Sequence, residues 1–228
     1  ALKIAELPIR TTAKGDAEWA AKFYVLMYSL ASASDSSKNM QSRTQWIASE
    51  ARRHIPNESA IAKMYDFVKA SYEQNPDKED WEKTRDEIYE RYQKTSHDGY
   101  IYREAFDAGI NFAASMVSLF YGQGDIAKTI KIGCLVGWDS DNPPATWGGL
   151  LGFMIGKEGI EKAFDQYNLS DTYWIHRTRR NFPDHTPNQD GEDTFSLMAE
   201  RGISIVDRVV VEQMGGGVDL EKNLWYIP

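Results

Sequence analysis

Cysteine is almost missing from this sequence: Cys134 stands alone among 228 residues. No disulfide can form within the chain, so its stability has to come from a packed core, which a chain of this length can bury. Nor does any stretch reach the ~18 consecutive apolar residues that a membrane-crossing helix needs. Cations are the minority charge, with 26 Lys and Arg against 34 Asp and Glu, a net charge of −8. Non-specific nucleic-acid binding requires clustered cations, so that class is excluded. The basic run His176–Arg180 holds only three arginines and reads as a solvated face or an ion-pairing segment. The same acidity repels a pyrophosphate substrate unless a bound metal supplies positive charge. β-Branched runs are scarce as well. Only Ile203–Val211 qualifies, and Leu197, Met198 and Met214 extend its apolar pattern on either side, so it is assigned to a helix.

What remains is helical periodicity. A run opening at Asp16, which reads as its cap, extends from Ala17 to about Ala31. Ile61, Met64, Tyr65, Val68 and Tyr72 recur at the spacing of one helix face. Trp81, Arg85, Ile88 and Tyr92 continue that logic. Ala105, Gly109, Phe112, Ala113, Met116, Val117 and Phe120 mark a further helix, whose small residues imply close packing. Asp125 reads as the cap of the next, Ile126–Val136, in which Cys134 is expected to be buried. The linkers are 32–38, 74–78, 94–99 and 173–191, and none is a domain boundary. The prediction is a single all-α domain.

Chemistry concentrates in Gly137-Trp138-Asp139-Ser140-Asp141-Asn142, which runs into Pro143-Pro144 and a Gly-rich apolar stretch ending at Gly156. Proline fits the first turn of a helix, where its missing N–H is not needed. The oxygens of Asp139, Ser140, Asp141 and Asn142 would therefore crowd the mouth of a helix over 143–156. Gly148, Gly149 and Gly152 are expected to bring that helix close to a neighbour. The residues alone leave two readings open: an N-cap and turn, or ligands for a hard cation such as magnesium or calcium. An EF-hand loop is excluded, because the fifth, sixth and twelfth places from Asp139 hold Pro143, Pro144 and Leu150.

The segment from Tyr121-Gly122-Gln123-Gly124-Asp125 through Gly137-Trp138-Asp139-Ser140-Asp141-Asn142 to Gly152 resembles the C-terminal signature of the ADP-ribosylglycohydrolase family, in which Gly-Gly-Asp-Thr-Asp-Thr precedes a small-residue helix. The resemblance is specific over about 100–156. It implies a compact orthogonal helical bundle and a pair of magnesium ions held in part by Asp139, Asp141 and Asn142. Asn142 stands where the family has threonine, although an amide oxygen can still ligate. The family's other metal ligands lie in an upstream Thr-Asp-Asp run, and neither Thr-Asp-Asp nor Asp-Asp occurs in this chain. The resemblance therefore implies the C-terminal part of such a bundle, completed by an N-terminal segment or a second chain.

The resemblance also implies a reaction: hydrolysis of the glycosidic bond of an ADP-ribosyl group, in a small molecule or on a protein. No general acid or base is assigned within 1–228. Candidate substrate contacts are Trp138 (stacking on base or ribose, or else a core anchor), Ser140, and Tyr121, Gly122 and Gly124, whose glycines either admit an anion to backbone N–H groups or simply end a helix. His97, in a loop before Tyr100, falls in the region that the resemblance brings towards the substrate cleft; otherwise it is a surface residue. Two rival readings fit the sequence: a pseudoenzyme that binds ADP-ribose or a nucleotide without hydrolysing it, and a helical interaction subunit.

Overall fold

The computed structural model describes residues 1–174 and 192–228. They form two compact units, 1–167 and 168–228, where the sequence predicts one domain. The run His176–Arg180 and nearly all of the expected 173–191 linker lie outside the described residues.

The first unit contains helices α1 (Leu2–Thr12), α2 (Asp16–Ser32), α3 (Met40–Arg52), α4 (Ala60–Gln74), α5 (Trp81–Ile88), α6 (Ala108–Gly122), α7 (Ile126–Leu135) and α8 (Asn142–Phe164). Short polar side chains set most of the starts. Asn39, Ser59, Asp80, Asp107 and Asp125 each accept a backbone N–H from the first turn of α3 to α7 in order. Asp107 therefore starts α6 at Ala108 and leaves Ala105, predicted inside it, in the preceding loop. Asp16 departs from expectation. It is the first residue of α2, not its cap, and its carboxylate accepts the N–H of Ala60 at the head of α4.

α6 is the axis of this unit. Every residue from Gly109 to Gly122 is buried, because α2, α4, α5, α7 and α8 all pack against it. The predicted face of α4, Ile61, Met64, Tyr65, Val68 and Tyr72, is buried. Phe23 of α2 meets Phe112 of α6 edge-on, ring centroids 5.0 Å apart. Trp147 of α8 is fully buried, and its indole N–H donates to the Ser115 carbonyl of α6 at 2.9 Å. Beyond α5 the chain widens into a π-helical turn, Tyr89–Lys94, that keeps Tyr92 buried as predicted. Cys134 is exposed, contrary to expectation. The buried side of α7 runs through Ile126, Thr129, Ile132 and Gly133, and two residues on from Ile132 a helix has turned by about 200°.

The glycines sort by what they touch. A Cβ on Gly122 would overlap the Thr129 side chain and come within 2.9 Å of its Cα. Backbone cannot swing aside, so Gly122→Ala is expected to cost about 1–3 kcal/mol through overpacking, read as a lower urea midpoint. At Gly149 the nearest atom is the Tyr28 hydroxyl at 2.5 Å, the tip of a side chain that can move. Gly148 makes ordinary contact with Ile130 at 3.7 Å, and Gly152 a tight one with Ile160 at 3.2 Å. The close approach expected of Gly149 therefore yields easily, and the rigid one falls at Gly122. α8 breaks at Gly156, where φ is 70°, the end predicted for this helix.

In the second unit, β1 (Thr172–Trp174) pairs antiparallel with β2 (Glu192–Thr194), with Thr172 opposite Thr194. Helix α9 (Phe195–Glu212) follows, capped by Thr194, and β3 (Gly217–Asp219) pairs antiparallel with β4 (Leu224–Tyr226). The predicted helical state of Ile203–Val211 is borne out. The strands, three residues each, are too short for an alternating pattern to reveal, and the class remains all-α. Among the described residues no helix is long and apolar enough to cross a membrane.

Candidate metal and substrate site

The acidic loop joins α7 to α8. After α7 the chain reverses through two residues of left-handed backbone, Gly137 (φ 102°) and Trp138 (φ 54°). Glycine takes this conformation freely, whereas a tryptophan in it is strained and must be held. Two side-chain amides hold it. The Trp138 indole N–H donates to Gln93 Oε1 of the π-helical turn at 2.7 Å, and the Asp139 backbone N–H donates to Asn111 Oδ1 of α6 at 2.9 Å. On the far side Pro143 and Pro144 enter the first turn of α8 and press on Gly133, where a Cβ would lie 3.0 Å from Pro144 Cδ.

This bracing brings the two predicted ligands together. Asp139 is half-buried and Asp141 exposed, and Asp141 lies close enough to act on the Asp139 carboxyl group. Burial raises the Asp139 pKa above the usual aspartate value, and the hydrogen bond and like charge of Asp141 raise it further. Asp141 occupies the N-cap position of α8, yet its side chain accepts none of the helix N–H groups. The capping alternative left open by the sequence thus fails for Asp141. Asn142, the first residue of α8, is exposed, and Ser140 is half-buried between the two aspartates. Two crowded carboxylates flanked by a hydroxyl and an amide fit a hard divalent cation, which would relieve their repulsion. Among the described residues no group of three His, Cys, Asp or Glu side chains is placed to hold a metal.

The crowding has a measurable consequence. A raised folded-state pKa means that Asp139 holds its proton more tightly in the folded protein than in the unfolded chain. Its contribution therefore favours folding at low pH and is lost as pH rises through the raised value. Asp139→Asn is expected to raise the melting temperature of the metal-free protein at pH 7. The gain should vanish at pH 3, where wild-type Asp139 is itself protonated; thermal melts in a chelator at the two pH values read the difference.

The remaining candidates divide. Trp138, with Tyr89, Gln93 and Tyr102, lines a groove of about 410 Å³ whose lining ends in sequence one residue before Asp139. Tyr121 does not come near. It is fully buried, its hydroxyl bonded to Asn75 and Thr84, at the other end of α6 from Asn111, about 15 Å along the axis. Gly122 packs on Thr129, and Gly124, with φ 82°, packs on Met40 and Gln41. These three are packing and turn residues, which is the helix-end alternative stated for them. His97 is exposed, its Nδ1 3.0 Å from Asp98 Oδ1. Asp98, rather than His97, lines a cleft of about 750 Å³ where α2, α4 and α6 begin, together with Asp16, Arg103 and Asp107. Burial raises the Asp16 pKa there; the Ala60 N–H lowers it and the Asp107 charge raises it.

Gln93 and Asn111 escape a reading of the sequence for ligands. Asn111 does leave a trace: it is the one amide inside an otherwise apolar helix.

The chain belongs to the ADP-ribosylglycohydrolase family, which it matches over residues 1–191. The activity that goes with this membership is glycosidase-type hydrolysis. The chain matches no curated protein and no solved structure.

Proposed function

We propose that the chain acts in a magnesium-dependent glycohydrolase that cleaves the anomeric bond of ADP-ribosyl groups, with Asp139 and Asp141 holding metal and Asn142 contributing an oxygen. The observation that supports this most is the placing of two carboxylates in one short loop held by Gln93 and Asn111 and closed by Pro143 and Pro144. Bound magnesium would orient ribose hydroxyls and lower the pKa of a water. The chain's own residues do the rest of the binding. The Trp138 indole, fixed by Gln93, offers a ring face to a planar part of the substrate in the adjoining groove. Ser140 offers a hydroxyl between the carboxylates. Positive charge developing at the sugar during bond cleavage is favoured by nearby carboxylates.

Two aspartates leave much of a magnesium octahedron to other donors. We infer that a further segment or a second polypeptide supplies them, and that residues 1–228 alone do not turn over. The test is release of ADP-ribose from an ADP-ribosylated protein in magnesium, by this chain alone and with a polypeptide that supplies the remaining ligands added in cis or in trans. Turnover only in the completed protein supports the proposal, and robust turnover by the isolated monomeric chain refutes the part about missing ligands. Magnesium-dependent binding without turnover in the completed protein would select the pseudoenzyme reading.

A further inference from the structure

We propose that Asn111 is a positioning residue for the metal loop: its amide fixes the backbone at Asp139, and through it the direction of the Asp139 carboxylate. The inference rests on the reading of Asp139 and Asp141 as metal ligands.

Asn111 is 6% exposed, in the first turn of a helix otherwise lined with apolar and small residues. A buried amide is costly there unless all of its hydrogen-bonding groups are used. All are. Nδ2 donates to the carbonyls of Ala105 at 2.7 Å and Asp107 at 2.9 Å, and Oδ1 accepts the Asp139 N–H at 2.9 Å. The chemistry of the partners allows one orientation only. The two carbonyls can only accept and the N–H can only donate, so a flipped amide would lose every bond. The carbonyls before α6 thus aim the oxygen, and the oxygen holds Asp139. The need for a hold is visible in the chain, since Gly137 and Trp138 leave the helical direction through left-handed backbone immediately before Asp139. Gln93 tethers the Trp138 side chain; Asn111 tethers the Asp139 N–H from α6, while the Asp139 carbonyl accepts the Asn142 N–H at 3.1 Å within the loop.

A purely structural amide would show the same burial, and the molecule supplies one for comparison. Asn75 is 3% exposed. Its Nδ2 donates to the Asp80 carbonyl and the Tyr121 hydroxyl, and its Oδ1 accepts the Asp77 N–H. It makes the same number of bonds of nearly the same kinds, at the opposite end of α6. Removing either amide should destabilise the fold. Only Asn111 should matter to the loop.

The test uses Asn111→Ala, Asn111→Asp and Asn75→Ala in the full chain, with three readouts: melting of the metal-free protein, hydrogen exchange at the Asp139 amide without metal, and Mn²⁺ affinity by electron paramagnetic resonance. Both alanine variants are expected to melt lower than wild type. Asn111→Ala alone should expose the Asp139 amide to exchange and weaken Mn²⁺ binding 10–100-fold, the range seen when residues supporting metal ligands are removed. Asn111→Asp keeps an oxygen for the Asp139 N–H but loses both donors, so it should melt lower and yet protect that amide. Unchanged Asp139 exchange and Mn²⁺ affinity in Asn111→Ala would overturn the proposal. An equal loss of Mn²⁺ affinity in Asn75→Ala would overturn it too, by reducing the effect to general stability. Failure of the metal reading looks different. Wild type would then bind no Mn²⁺, while the Asp139 amide would still report whether Asn111 holds the loop.

Discussion

Asp139→Ala and Asp141→Ala are each expected to abolish magnesium binding measured by isothermal titration, with the fold intact by circular dichroism. Either aspartate alone carries a single charge. In the proposed site the loop between α7 and α8 holds both carboxylates near one another, and one alanine removes half of the charge that would attract the cation. Asp139→Asn separates charge from shape: an amide fills the same space, keeps an oxygen and lowers the repulsion, so affinity should fall by at least tenfold rather than by steric loss. Heat of binding unchanged in both alanine variants would sink the metal assignment.

Trp147→Ala should produce the largest loss of stability of any single change considered. Trp147 is fully buried on α8, meets Tyr24 of α2 edge-on at 5.6 Å between ring centroids and bonds the Ser115 carbonyl of α6. Truncating a buried tryptophan costs about 3–5 kcal/mol, a large part of the stability of an ordinary domain. Urea unfolding followed by far-ultraviolet dichroism should show the midpoint fall accordingly. Trp147 also seats the helix whose first turn carries the acidic loop, six residues back at Asp141. Where the variant is still folded, its magnesium affinity should be reduced, because the mouth of α8 is no longer fixed against α6. A midpoint within experimental error of wild type would mean that α8 is not a core helix.

The fold was legible wherever one side chain decides locally. The caps Asp125 and Ser59 lie next to the N–H groups they accept, and the face from Ile61 to Tyr72 follows from helical spacing alone. What stayed hidden depended on partners distant in sequence. Asp16 looks like a cap for its own helix and instead serves Ala60, 44 positions on. Gly122 and Tyr121 carry the composition of a phosphate loop, but burial against Thr129, Thr84 and Asn75 makes them core. Cys134 sits in an apolar stretch on the outward side of α7. The two aspartates stand out in the sequence because their chemistry is compressed into three consecutive residues. Asn111, 28 positions away, was not, since nothing local says what a buried amide is bonded to.

The account turns on metal-dependent recognition of an ADP-ribosyl group, and titration of ADP-ribose into the protein tests it most directly, with magnesium and with a chelator, in wild type and Asp139→Ala. The prediction is binding by wild type in magnesium and none in the other three conditions. Wild-type affinity retained in chelator or in Asp139→Ala would contradict it, as would no binding by wild type in magnesium.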